Sequence, residues 1–187
     1  MEDGVVSIAR VSGSVTYPAE FMLVCAMNPC KCGWYGHPSG RCRCSEREVR
    51  RYHSRISGPL LDRIDLIVEV PALDYEELRR RTPAESSEAI KERVDAARRI
   101  QRQRFGSDGS MCNAHIGSRQ LRDYCALDGE SEQLMRDAFD SMGLSARSYD
   151  RILRVARTIA DLAGEEHIGP EHLAEAVQYR SFDFTER

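Results

Sequence analysis

From Phe21 to Met27 the chain reads FMLVCAM, seven apolar residues with no polar interruption, and the run ends at Asn28-Pro29. A continuous apolar stretch of that length predicts a strand buried on both faces. Leu66-Ile67-Val68-Glu69-Val70, closed by Pro71, predicts a second strand. Ahead of the first, residues 4–10 alternate loosely, Ser12-Gly13-Ser14 punctuates and Val15-Thr16-Tyr17 resumes, which is the pattern of a β-hairpin. Residues 29–44 hold cysteines among Pro, Gly and Ser and read as a loop. Ser45 followed by Glu46 and Glu48 then starts a helix, with carboxylates at the positive end of its dipole. Gly58-Pro59 stops it.

Beyond Pro71 the pattern turns helical. Thr82-Pro83-Ala84-Glu85-Ser86-Ser87 is the expected domain boundary, dividing 1–82 from 83–187. Ile90, Val94, Ala97, Ile100 and Phe105 trace a stripe over 86–105, residues 106–116 form a Gly/Ser-rich loop, and two helices fit 117–126 and 129–142. The clearest helix follows Ser145 as N-cap: Tyr149, Ile152, Leu153, Ala156, Ile159, Ala160 and Ala163 share one side, with Arg147, Arg151 and Arg154 opposite on a solvated face. Gly164 ends it and Pro170 opens a last helix. The fold class expected is α+β, a small α/β piece followed by an all-α helical bundle.

With 187 residues and 41% hydrophobic content, the chain can bury a sizeable core. No apolar run approaches the ~18–20 residues that span a bilayer, and the start does not read as a signal peptide, so a cytoplasmic protein is expected. The formal net charge of −3 excludes a generic polycation, but the basic residues cluster locally: Lys31, Arg41, Arg43, Arg47, Arg50, Arg51 and Arg55 lie within one short stretch.

Among the seven cysteines, Cys30-x-Cys32 and Cys42-x-Cys44 make two thiolate arms around a turn-rich connector. Soft ligands at this density favour tetrahedral Zn²⁺, although each arm is tighter than the usual two-to-four-residue spacing. A redox pair, a partial disulfide and free thiols are the alternatives, and disulfides suit a reducing compartment poorly. His37 lies between the arms as a substitute ligand or a solvated loop residue. Cys25, Cys112 and Cys125 read as packing residues.

The strings EDGVVSIAR, SVTYPAEFMLVCAMNPCKCG, RISGPLLDRIDLIVEV and LSARSYDRILRVARTIADL together resemble the magnesium-chelatase-like AAA+ ATPases of the competence protein ComM (YifB) group over practically the whole length. The resemblance implies a homo-oligomeric ring, a hexamer, that hydrolyses ATP with Mg²⁺ and acts on DNA in natural transformation and branch migration. It implies that Asn28 is sensor 1, an amide that orients the attacking water. Arg63 is implied as the arginine finger, which reaches a neighbouring subunit's nucleotide, and Arg147 as sensor 2. Read without the family, Asn28 is an Asn-Pro turn, Arg63 a surface ion pair beside Asp62 and Asp65, and Arg147 a solvated arginine. The hairpin would face the pore.

No GxxxxGK[ST] occurs, nor an apolar strand ending in Asp-Glu, so the backbone cradle for phosphates is missing. The expectation is therefore a C-terminal portion of a longer protein, inactive alone. Its two buried-type strands would lack the phosphate-loop strand between them and expose an association-prone edge. Two other readings compete. One is a zinc-bearing nucleic-acid-binding module, built on the basic stretch with Trp34 and Tyr35 as stacking surfaces. The other is the motor subunit of a metal chelatase.

Overall fold

The computed structural model describes residues 4–73, 75–80, 84–106 and 111–180. It divides at residues 63 and 64 into two compact units, and the boundary expected at Thr82-Pro83 lies outside the described residues.

In the first unit, β1 (Val5–Arg10) and β2 (Gly13–Pro18) pair antiparallel, with Val5 opposite Pro18, Ile8 opposite Val15 and Arg10 opposite Gly13. The alternating pattern thus forms the expected hairpin, and both its faces are exposed. The Cys-rich loop follows, then α1 (Glu46–His53) and the single turn α2 (Gly58–Leu61). α1 begins on a capping box: the Ser45 hydroxyl accepts from the Glu48 amide, and the Glu48 carboxylate accepts from the Ser45 amide at 3.0 Å.

The second unit holds α3 (Tyr75–Arg80), α4 (Ser87–Phe105), a 3-10 turn at Asn113–His115, α5 (Leu121–Tyr124), α6 (Gly129–Met142), α7 (Ala146–Ala163) and α8 (Pro170–Gln178). Its core gathers Ile116, Leu121, Met135, Ile152, Leu153, Ala156, Ala160, Ile168, Leu173 and Ala176 around α7. Ser86, Asp128 and Ser145 cap α4, α6 and α7 through side-chain oxygens, each satisfying an amide that a helix start leaves orphaned. Gly164 ends α7 at φ 78°, a left-handed value that glycine adopts without a Cβ penalty.

The α+β class holds, and four local expectations are corrected. Phe21–Met27 and Leu66–Val70 are not strands: both run without ladder partners, and Met22, Val24, Val68 and Val70 are exposed. A two-faced strand needs neighbours on both edges and layers on both faces, and the described residues offer only the β1–β2 ladder. Cys25 is consequently exposed rather than packed, whereas Cys125 does join the core. On α4, Ile90 and Val94 are exposed and only Ala97 of the stripe is buried. On α7, Arg151 is buried and Arg154 half-buried rather than solvated, while Arg147 is exposed as expected.

That last correction has a clear cause. α7 is covered nearly all round, so its cations meet acceptors inside the unit. Arg151 is buried and donates to Asp65 at 2.9 Å. Arg154 donates to the Ile116 carbonyl at 2.8 Å. Arg157 donates to Asp161 at 3.0 Å and to the carbonyls of Glu165 and Glu166. Asp161, fully buried, also takes both nitrogens of the Arg104 fork at 2.6 and 2.7 Å and the Asn113 amide at 2.7 Å. Burial alone would push the Asp161 carboxyl up, but Arg104, Asn113 and Arg157 together hold it below the usual carboxylate value.

Candidate metal centre and nucleotide-site residues

The Cys-rich loop is wound by successive tight turns. Gly33 donates to the Cys30 carbonyl at 3.0 Å, His37 to Trp34 at 3.2 Å and Gly40 to His37 at 3.2 Å. Gly36, third residue of the middle turn, sits at φ 76°, where a side chain would be strained. The winding folds the second arm back onto the first. Cys30, Cys32, Cys42 and Cys44 then place their sulfurs within 4.8 Å of one another. Individual separations are 3.2 Å (Cys30–Cys32), 3.8 Å (Cys30–Cys42) and 3.6 Å (Cys32–Cys42). Four thiolates held tetrahedrally at ~2.3 Å from one ion stand ~3.8 Å apart, so the cluster fits a single metal ion of zinc's size.

The electrostatics agree with that fit. The Trp34 amide, then the Cys30 thiol and the Arg43 amide, draw the Cys32 thiol down to about 6, while burial and the Cys32 neighbour push Cys44 up to about 12. Crowded thiols resist joint ionisation, and a divalent cation removes that resistance. His37 is not part of the cluster: its Nδ1 accepts from the Ser39 amide at 3.0 Å and its ring meets Trp34 edge-on.

α1 anchors the loop from the side. Val49 is buried, His53 Nε2 lies 2.8 Å from the Pro29 carbonyl, and Lys31, between the first two cysteines, pairs with Glu48. Lys31 accordingly holds the Glu48 carboxyl down at about 2. The sequence offered Glu48 only as a dipole partner. Its i, i+3 spacing from Ser45 was the available signal for the cap, whereas the tie to Lys31 is a long-range contact that no local pattern encodes.

Asn28 is exposed and stands two residues before Cys30, so it shares the loop's anchorage. Arg63 is half-buried and donates to the Pro59 carbonyl at 2.9 Å, closing the turn after α2. Asp65, one of the two carboxylates expected to pair with Arg63, accepts from Arg151 instead. Arg147 is exposed at the second position of α7, within its first turn.

Residues 1–78 match the family model described as magnesium chelatase, subunit ChlI, and residues 84–180 match the one described as magnesium chelatase, subunit ChlI C-terminal. The chain belongs to the magnesium chelatase, subunit ChlI family. Within curated relatives it is 40% identical over 182 residues to competence protein ComM of Haemophilus influenzae, covering 97% of this chain and 35% of that protein. It is also 40% identical over 184 residues to the uncharacterized protein YifB of Escherichia coli, again covering 35% of it. An uncharacterized Mycobacterium bovis protein is 38% identical over 180 residues, with 35% of its length covered. The chain thus spans about a third of the length of the relatives it matches. No helix among the described residues of this ChlI-family chain is long and apolar enough to cross a membrane.

Proposed function

We propose that this chain is the portion of a ring-forming, ComM-like AAA+ ATPase that lies after the phosphate-binding segments. In that reading Asn28 is sensor 1, Arg63 the arginine finger and Arg147 sensor 2. The observation that carries the proposal is the match to ComM and YifB over 97% and 98% of the chain. ATP and Mg²⁺ would bind in the longer protein, other subunits of a homo-hexamer would supply the neighbouring sites, and DNA would be the substrate. An exposed amide at Asn28 can orient a water. Beyond the one N–H given to the Pro59 carbonyl, the Arg63 guanidinium has four further N–H donors that can meet charge on a nucleotide. A chelatase motor is the second reading, favoured by the description of the matched family. ATP hydrolysis stimulated by DNA and not by a tetrapyrrole acceptor would decide against it.

Zinc is the ion we assign to Cys30, Cys32, Cys42 and Cys44, where four thiolates would supply its whole coordination and leave no open position for chemistry. Protein purified without added metal is expected to carry about one equivalent of zinc by elemental analysis, and Cys42→Ser should lower it. Metal-free protein in which all the cysteines titrate as free thiols would remove the assignment.

Sensor 2 is tested by Arg147→Ala in protein that contains the phosphate loop. Loss of one charge-assisted contact should weaken ATP binding by about 1.5–3 kcal/mol, measured on monomers. Because the side chain is exposed, the melting of the helical unit should move by no more than about 0.5 kcal/mol. A large fall in melting temperature would show a structural role for Arg147 and end the sensor assignment.

A further inference from the structure

Residues 29–57 carry seven basic side chains against two acidic ones, in a chain whose net charge is −3. The structure disposes of both acids locally. Glu48 is taken by Lys31, and Glu46 by Arg50 at 3.4 Å. Arg41, Arg43, Arg47, Arg51 and Arg55 meet no carboxylate among the described residues, and all five are exposed. Even with two excess negative charges on a zinc–tetrathiolate, the stretch would keep a net charge of about +3.

The placement of these arginines is not random. Arg47 and Arg51 are one helical turn apart, and at 100° per residue they lie opposite Val49, the buried residue of α1. They therefore form the outward ridge of the helix. Arg41 and Arg43 alternate with Cys42 and Cys44. The cysteines turn toward the sulfur cluster and the arginines toward solvent. Trp34 sits in the same loop, 37% exposed, with the Arg41 guanidinium 5.1 Å from its ring centre. Guanidinium groups that meet no carboxylate suit phosphates, which they bind by two-pronged hydrogen bonds. An exposed indole beside them suits an unpaired base, whose flat aromatic face alternates with phosphates along a single strand.

We infer that the Cys loop and α1 form a single-strand nucleic-acid contact, with the five arginines on the phosphate backbone and Trp34 stacked on a base. The inference deepens the DNA partner of the proposed function and needs none of its nucleotide-site assignments.

Trp34 is the sole tryptophan of the chain, so intrinsic indole fluorescence reports this site alone. The experiment titrates the intact chain, without nucleotide, with a single-stranded oligothymidylate at several salt concentrations. Saturable quenching is expected, with log K falling against log salt at a slope of about −3.5 for five phosphate contacts. Arg47→Ala/Arg51→Ala should flatten the slope by roughly 1.4, and Arg47→Lys/Arg51→Lys should restore it. The metal content of each variant checks that the loop has formed. Absence of quenching at low salt overturns the inference. So does an unchanged slope in the alanine variant, or equal quenching by polyglutamate, which would mark a surface for acidic protein. Tighter binding of duplex without quenching overturns it as well. Failure here leaves the ATPase reading intact, and loss of ATP hydrolysis in an Arg63 variant leaves this contact intact.

Discussion

Asp161→Ala should destabilise the helical unit by about 3–5 kcal/mol, the cost of leaving buried cations without their counter-charge. Arg104 and Arg157 converge on this one fully buried carboxylate, and removing it strands both. Set against the 5–15 kcal/mol that a domain commonly has, the loss should appear as a large drop in melting temperature, read by circular dichroism. The same group sets an acid limit. Its folded-state pKa is depressed, so its contribution is fully present above the unfolded value near 4 and is lost as pH falls through the folded one. The melting temperature of the unaltered chain should therefore drop below about pH 4. A variant that melts like the parent would show that the pair of arginines finds other acceptors.

The second large effect belongs to Arg63. In the assembled ring of a phosphate-loop-containing protein, Arg63→Ala should cut ATP hydrolysis by about 10³-fold or more while nucleotide affinity changes little, since a finger acts on the transition state from the next subunit. Mixing it with a phosphate-loop variant should restore part of the rate, because some interfaces then join an intact loop to an intact finger. Mixed rings that form and stay inactive would remove the trans assignment.

The helical unit was largely legible in the sequence because its signals are local. Ser86, Ser145 and Gly164 mark ends that the structure reproduces, and Ile152, Leu153, Ala156 and Ala160 are buried as their spacing requires. The cysteine arms were legible for a similar reason, since ligand type and spacing announce a cluster before any geometry is known. What failed was everything decided at a distance. FMLVCAM has strand composition, but a strand is made by its neighbours, and no described residues pair with it. Arg151 and Arg154 are polar on a helical wheel yet drawn into the fold, because their partners, Asp65 and the Ile116 carbonyl, are supplied by tertiary placement. The wheel can rank faces but cannot count how many of them are covered. The roles proposed for Arg63 and Arg147 come from the family resemblance alone, since spacing and burial by themselves describe a turn-closing and an exposed arginine.

The brevity of α1 has a consequence for the order in which the Cys-loop unit forms. Eight residues are too few for a helix to persist alone in water, because the first turn fixes several residues for a single hydrogen bond. Here the costly first turn is stabilised from outside. Glu48 serves at once in the Ser45 cap and as the partner of Lys31, and His53 meets the Pro29 carbonyl at the far end. Helix nucleation is thereby transferred to the closing of the loop, and the helicity of residues 46–53 becomes a dependent variable: it rises when the two cysteine arms meet and decays when they part.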